Sequence, residues 1–239
     1  MAEPRSRHGA IATLRGFLSL RQHCLAIVGA GAILLIAASS SYGQEPSTNQ
    51  TLVVLGDSLA AGYGVDPSES WPSKLQEHIR EAGLPYTVIN AGVSGDTTSG
   101  GLRRMDWLLK RRVDWLLLEL GGNDGLRGIP LATTHSNLVG IVEKTKAKWP
   151  KAQLIIAGMQ IPGNMGEEYT RQFRELFPAL AAQFHATLIP FLLEGVGGKP
   201  ELNQADQIHP NVIGHNLVAS NVWTKIKPLL TVPATGAAP

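Results

Sequence analysis

Five short, mostly apolar runs, each followed by a stretch with helical spacing, constrain this chain more than any other feature. The runs are 51–55, 86–89, 113–120, 154–157 and 186–190. Strands that are apolar on both faces must be covered on both faces, which predicts a parallel sheet between two helical layers. The helical patterns cover 71–82, 102–112, 130–149, 167–184 and 211–230. Gly83 suits the position just past the end of the first helix. Leu102, Met105, Leu108 and Leu109 share a face of the second, and Pro178 is expected to kink or break the fourth. The expected fold class is α/β, with a five-stranded parallel sheet and no second domain. Ligands of such a sheet bind at the carboxyl ends of its strands. Ser58, Gly95, Asn123 and Met159 each follow such an end, so the polar loops are expected at one edge.

Residues 1–43 do not read as part of that domain. Four arginines (Arg5, Arg7, Arg15, Arg21) stand against Glu3, and an uncharged run of 15 residues, 24–38, precedes Ser39, Ser40 and Ser41. That is the order of a secretory signal peptide, and the run is short of the ~20 apolar residues that span a bilayer. The expected layout is a leader over 1–43, a polar linker over 44–50, the domain over 51–230 and a flexible tail over 231–239.

Without the leader's four arginines and one glutamate, 17 basic and 18 acidic residues remain, a net charge of −1. Nucleic-acid binding rests on neutralising many phosphates and gains no support from this balance. The sole cysteine, Cys24, falls in the leader, so the exported part has neither disulfide nor thiol nucleophile.

A serine hydroxyl is a weak nucleophile until a base takes its proton. Ser58 stands where a following helix would offer free N–H groups, although Asp57-Ser58 alone reads more readily as a cap for that helix. Asp206 and His209 are three apart, with Pro210 restraining the histidine toward extended backbone. A turn at this spacing would let the carboxylate hold Nδ1–H while Nε2 faces a serine. Alone, the pair reads as a solvent-facing loop. Gly95 admits close approach of a backbone N–H and Asn123 carries a neutral amide, the donor types of an oxyanion hole. Each alone reads as a turn. Asp124 reads as a loop stiffener, and His78, His185 and His215 as surface or boundary residues, while His135 has no carboxylate at useful spacing. No His-Glu-x-x-His or Cys set is present, so neither metal nor cofactor is expected. Gly56-Asp57-Ser58-Leu59 is also not the Gly-x-Ser-x-Gly elbow.

Together, Gly56-Asp57-Ser58-Leu59, Gly95-Asp96-Thr97, Gly121-Gly122-Asn123-Asp124 and Asp206-Gln207-Ile208-His209 resemble the SGNH (GDSL) hydrolases over nearly all of 51–229. The stretches 118–128 and 206–211 are similar to the branch holding periplasmic acyl-CoA thioesterase I, lysophospholipase and arylesterase. The resemblance implies a three-layer α/β/α, flavodoxin-like fold. It implies Ser58 as nucleophile, His209 as base and Asp206 as its partner. The N–H groups of Ser58 and Gly95 and the Asn123 amide would form the oxyanion hole. It also implies a mobile loop over 126–130 beside an acyl groove, and 159–163 is closer to the arylesterase-like members.

Leu126, Ile129, Pro130, Met159, Ile161 and Ile208 are then the expected substrate-binding residues for a hydrophobic acyl or aryl group. The expected activity is hydrolysis of small-molecule esters, thioesters or lysolipids through an acyl-enzyme on Ser58. The expected form is an exported, periplasmic or secreted monomer without stable membrane insertion. Two alternatives stand beside it. One is a carbohydrate O-deacetylase, for which Trp71 and Tyr63 are among the few aromatics available to stack on sugar. The other is a non-catalytic envelope protein that binds lipid in the same groove.

Overall fold

Leu52, Val53, Val54 and Leu55 are completely buried, and Leu116, Leu117 and Leu118 nearly so, because their strands lie at the centre of a sheet covered on both sides. Removing each such side chain from water contributes about 1.5–3 kcal/mol. The computed structural model describes residues 49–231. Its elements run β1 (Gln50–Gly56), α1 (Ser58–Ala61), α2 (Trp71–Glu81), β2 (Tyr86–Gly92), α3 (Thr98–Leu108) and β3 (Trp115–Glu119). They continue with α4 (Gly122–Leu126), α5 (Leu131–Lys148), β4 (Gln153–Ala157), α6 (Glu167–Gln183), β5 (Thr187–Ile189) and α7 (Val212–Thr231). The expected leader, most of the linker and the tail beyond Thr231 lie outside the described residues. Thr231, expected in the tail, closes α7.

The strand order is β2-β1-β3-β4-β5 and every pairing is parallel. Right-handed crossovers then put helices on both faces, with α2 packed on α7 in one layer and α3, α5 and α6 in contact in the other. This is the expected three-layer α/β/α fold. The chain reverses its direction across the sheet between β1 and β3, and at such a switch point a crevice opens at the carboxyl edge. There Gly56 lies in register with Gly92 on one side and Glu119 on the other. Among the described residues, no helix is long and apolar enough to cross a membrane.

Three local expectations are corrected. The second helix starts at Thr98 rather than 102, since Thr97 caps it by accepting the Gly100 N–H at 3.3 Å. Pro178 does not break α6, which continues to Gln183. Pro178 and Arg174 both lie on its exposed side, so the carbonyl deprived of its helical partner faces solvent. Residues 122–126, read as a glycine loop, form the short helix α4.

Candidate active site

Ser58 is the first residue of α1, directly after β1. Asp57 caps this turn, its Oδ1 accepting the Leu59 N–H at 3.0 Å. The cap reading of Asp57 therefore holds, and it leaves the Ser58 hydroxyl free. That hydroxyl lies 2.9 Å from His209 Nε2, joining positions 151 residues apart.

His209 sits in the loop before α7. Asp206 holds it twice, with Oδ2 2.7 Å from Nδ1 and Oδ1 accepting the backbone N–H groups of Ile208 at 2.9 Å and His209 at 3.0 Å. One carboxylate thus fixes both the turn and the ring. These bonds, the His209 backbone N–H foremost and then its ring, hold the Asp206 carboxyl down at about 2. Pro210 bridges to Asn203, while Asn211 Oδ1 accepts the Gly214 N–H and opens α7. With Nδ1–H donating to Asp206, Nε2 is the acceptor for the serine proton. The Tyr63 ring packs on the imidazole with centroids 4.6 Å apart.

Gly95 occupies the third position of a turn closed by the Asp96 N–H on the Val93 carbonyl, at φ +78°. A type II turn requires positive φ there, and glycine adopts it without steric cost. Its carbonyl accepts from Arg127 Nη2 at 3.1 Å. Asn123, on α4, directs its amide to the Asp96 carbonyl at 3.0 Å and to Asp57 Oδ2 at 3.2 Å. It therefore ties the serine turn to the Gly95 turn, and an incoming oxyanion would share a donor already in use.

A cavity of about 480 Å³ opens beside Ser58. Four of the residues expected to bind substrate, Leu126, Met159, Ile161 and Ile208, line it. Ile129 and Pro130 do not. The loop turns away at Gly128, the Ile129 carbonyl accepts from Tyr169 Oη at 2.7 Å, and Pro130 caps α5. Phe191 and Leu193, past β5, complete the wall and were not expected. Their only sequence signal was their place after a predicted strand.

Other expectations divide. Asp124 does stiffen its loop, since it is buried and accepts from Thr98 N at 2.9 Å and Thr98 Oγ1 at 2.5 Å. His215 is not a boundary residue. It is fully buried, and Nδ1 accepts the Trp71 N–H at 3.2 Å. Trp71 is also fully buried, which removes one of the two aromatics offered for sugar stacking. Glu119, read only as part of a strand, lies completely buried beneath the serine turn and accepts the Asp57 N–H at 3.2 Å. Among the described residues, no group of three His, Cys, Asp or Glu side chains is arranged to hold a metal ion.

The chain is similar to known proteins over most of its length. Residues 54–217 match the GDSL-like Lipase/Acylhydrolase family. Esterase TesA of Pseudomonas aeruginosa is 42% identical over 187 residues, covering 78% of this chain and 92% of that protein. Thioesterase 1/protease 1/lysophospholipase L1 of Escherichia coli is 39% identical over 181 residues, covering 75% and 85%. The crystal structure of a psychrotrophic esterase, EstA from Pseudoalteromonas, inhibited by monoethylphosphonate, superposes with a TM-score of 0.73. It is 34% identical and covers 77% of this chain and 100% of that one. With its parallel sheet, its serine turn and its Asp-x-x-His loop at one edge, the chain belongs to the GDSL-like lipase/acylhydrolase family.

Proposed function

We propose that this chain is an exported, monomeric serine esterase that cleaves carboxylic esters or thioesters with hydrophobic acyl or aryl groups. The observation that carries the reading is the unbroken relay from Asp206 Oδ2 through the His209 ring to Ser58 Oγ, with contacts of 2.7 and 2.9 Å. His209 Nε2 takes the hydroxyl proton as Oγ attacks the carbonyl carbon, and the Asp206 carboxylate stabilises the imidazolium that forms. The N–H groups of Ser58 and Gly95, with the Asn123 amide, face the charge developing on the carbonyl oxygen. His209 then returns the proton to the departing alcohol, phenol or thiol, leaving an acyl group on Ser58. Water, deprotonated by the same nitrogen, releases the acid. This cycle needs no metal or cofactor.

The relatives named as an esterase and as a thioesterase/lysophospholipase support that range of leaving groups. A cavity lined by Met159, Ile161, Phe191 and Leu193 supports an apolar acyl group. Export rests on the leader pattern of 1–43. Ser58→Ala should abolish hydrolysis of p-nitrophenyl esters, and fluorophosphonate labelling of the protein, with an unchanged circular dichroism spectrum. Substantial turnover by the folded variant would overturn the assignment. A profile of ester and thioester substrates across acyl lengths would then fix the preferred substrate.

A further inference from the structure

Arg104, on α3, touches neither the Ser58 hydroxyl nor the His209 ring, yet its guanidinium grips three segments of the sheet edge at once. Nε donates to Asp96 Oδ2 at 2.8 Å, Nη1 to the Ala91 carbonyl at 2.6 Å and Nη2 to the Gly56 carbonyl at 3.0 Å. Gly56 is two residues before Ser58, and Asp96 is the residue after Gly95. Ala91 belongs to β2, in register with Leu55 of β1. One planar, rigid cation therefore spans the turn that presents the Ser58 N–H and the turn that presents the Gly95 N–H.

The seat for this clamp is built from the other side as well. Asp96 rests against Gly100 on the first turn of α3, where a Cβ would lie 1.7 Å from Asp96 Oδ1. Any side chain at 100 would evict the carboxylate. The side chain of Arg104 is 20% exposed and that of Asp96 11%, so their bonds are partly shielded from water. Charge-assisted bonds of this kind are the strong ones, and the fixed fork of a guanidinium sets geometry as well as energy.

We propose that Arg104 is a positioning residue that fixes the spacing of the Ser58 and Gly95 N–H groups, and so sets how well the site holds the oxyanion. The proposal rests on the esterase reading above. Donors of an oxyanion hole act because they are already in place when charge develops, and a shift of about 1 Å in such a constellation costs on the order of 10²-fold in rate. The loss falls on the transition state, whereas the groove that binds the acyl chain lies away from Arg104.

The test compares wild type, Arg104→Lys, Arg104→Ala and Gly100→Ala with p-nitrophenyl butyrate and a fluorophosphonate probe. The expected result is a fall in kcat on the order of 10²-fold in each variant, KM within about threefold, and a matching fall in labelling rate. Lysine cannot reproduce the three-way grip, so it should not rescue. Millimolar methylguanidinium should restore part of the rate of Arg104→Ala and none of that of Gly100→Ala, which keeps its arginine. Should Arg104→Ala not fold, Gly100→Ala and Arg104→Lys still decide the matter. Wild-type kcat in folded Arg104→Lys, or a loss confined to thermal stability or to KM, would overturn the proposal. Failure of the wild-type protein to hydrolyse the ester or take the label would instead strike the esterase reading itself.

Discussion

Asp57 and Glu119 meet beneath Ser58, the Asp57 N–H donating to Glu119 Oε2 at 3.2 Å where neither side chain is open to solvent. Burial pushes the Asp57 carboxyl up to about 6, against the lowering effects of the Leu59 N–H, His209 and Asn123. Burial, with the charge of Asp57 beside it, raises Glu119 well above the usual carboxylate range. The folded chain therefore holds protons that the unfolded chain has released. The stability this contributes is complete below about pH 4 and is lost as pH rises through about 6 and beyond. Glu119→Gln keeps an acceptor for the Asp57 N–H and removes one of the two titrations. Urea unfolding from pH 4 to 9 should show a shallower alkaline loss in that variant than in wild type. Identical slopes would refute the pairing.

His215 works in the opposite sense. Burial, and then the nearby His209, lower its imidazole to about 4. A histidine depressed in the folded state contributes stability that is present above its unfolded value of 6.5 and lost as pH falls toward 4. Between pH 4 and 6 the slope of His215 opposes those of Asp57 and Glu119, so it offsets part of the loss that the two carboxyls cause there. His215→Asn keeps an acceptor near the Trp71 N–H and abolishes the titration. Its stability should fall more steeply from pH 4 to 6 than that of wild type, and the same urea series checks it. A profile parallel to that of wild type would show that His215 does not titrate as a buried group.

Asp206 is held ionised down to about 2, so the stability from its bonds is complete above about pH 4 and is lost as pH falls from there through about 2. Any decline in activity above pH 4 must have another source. Asp206→Asn keeps an oxygen for the Ile208 and His209 N–H groups but turns a donor toward Nδ1. The ring then carries its proton on Nε2 and cannot accept from Ser58. The expected outcome is a fold-neutral variant with kcat reduced ~10³–10⁴-fold and little change in KM, measured with a chromogenic ester. Near-normal kcat would remove Asp206 from the relay.

What was legible in the sequence follows from which forces act locally. The strands were readable because Leu52–Leu55 and Leu116–Leu118 are apolar on both faces. The edge rule for parallel sheets then gathered Ser58, Gly95, Asn123 and Met159 without any knowledge of strand order, whereas His209 was marked by its spacing from Asp206 and by the family resemblance. Helix α4 was not readable, since Gly122 and Gly125 read as a turn, and the tertiary bonds of Asp124 to Thr98 hold that segment in place. The start of α3 was hidden likewise. Gly100 and Gly101 are poor helix formers, but a Cβ at 101 would meet Leu120 at 2.3 Å and one at 100 would meet Asp96 at 1.7 Å. Close packing selects glycine at both. The depth of Glu119 and His215 is a property of the assembled layers, and no periodicity marks it.

Phe191 and Leu193 belong to the same class of missed residue, and they bear on acyl length. The cavity is walled by loops after β1, β3, β4 and β5. From β1 to β5 is three strand spacings, roughly 14 Å, so an acyl chain leaving Ser58 along the edge meets the 191–198 loop last. The Phe191 ring also lies 3.3 Å from where a Cβ on Gly197 would be, which closes that end. Phe191→Ala should therefore raise kcat/KM for long-chain p-nitrophenyl esters relative to the acetate. Each methylene newly taken out of water contributes about 0.8 kcal/mol, roughly fourfold. The acetate rate itself should hold, because a two-carbon acyl group does not reach β5. Parallel loss across all chain lengths would mean that Phe191 supports the loop and does not bound the groove.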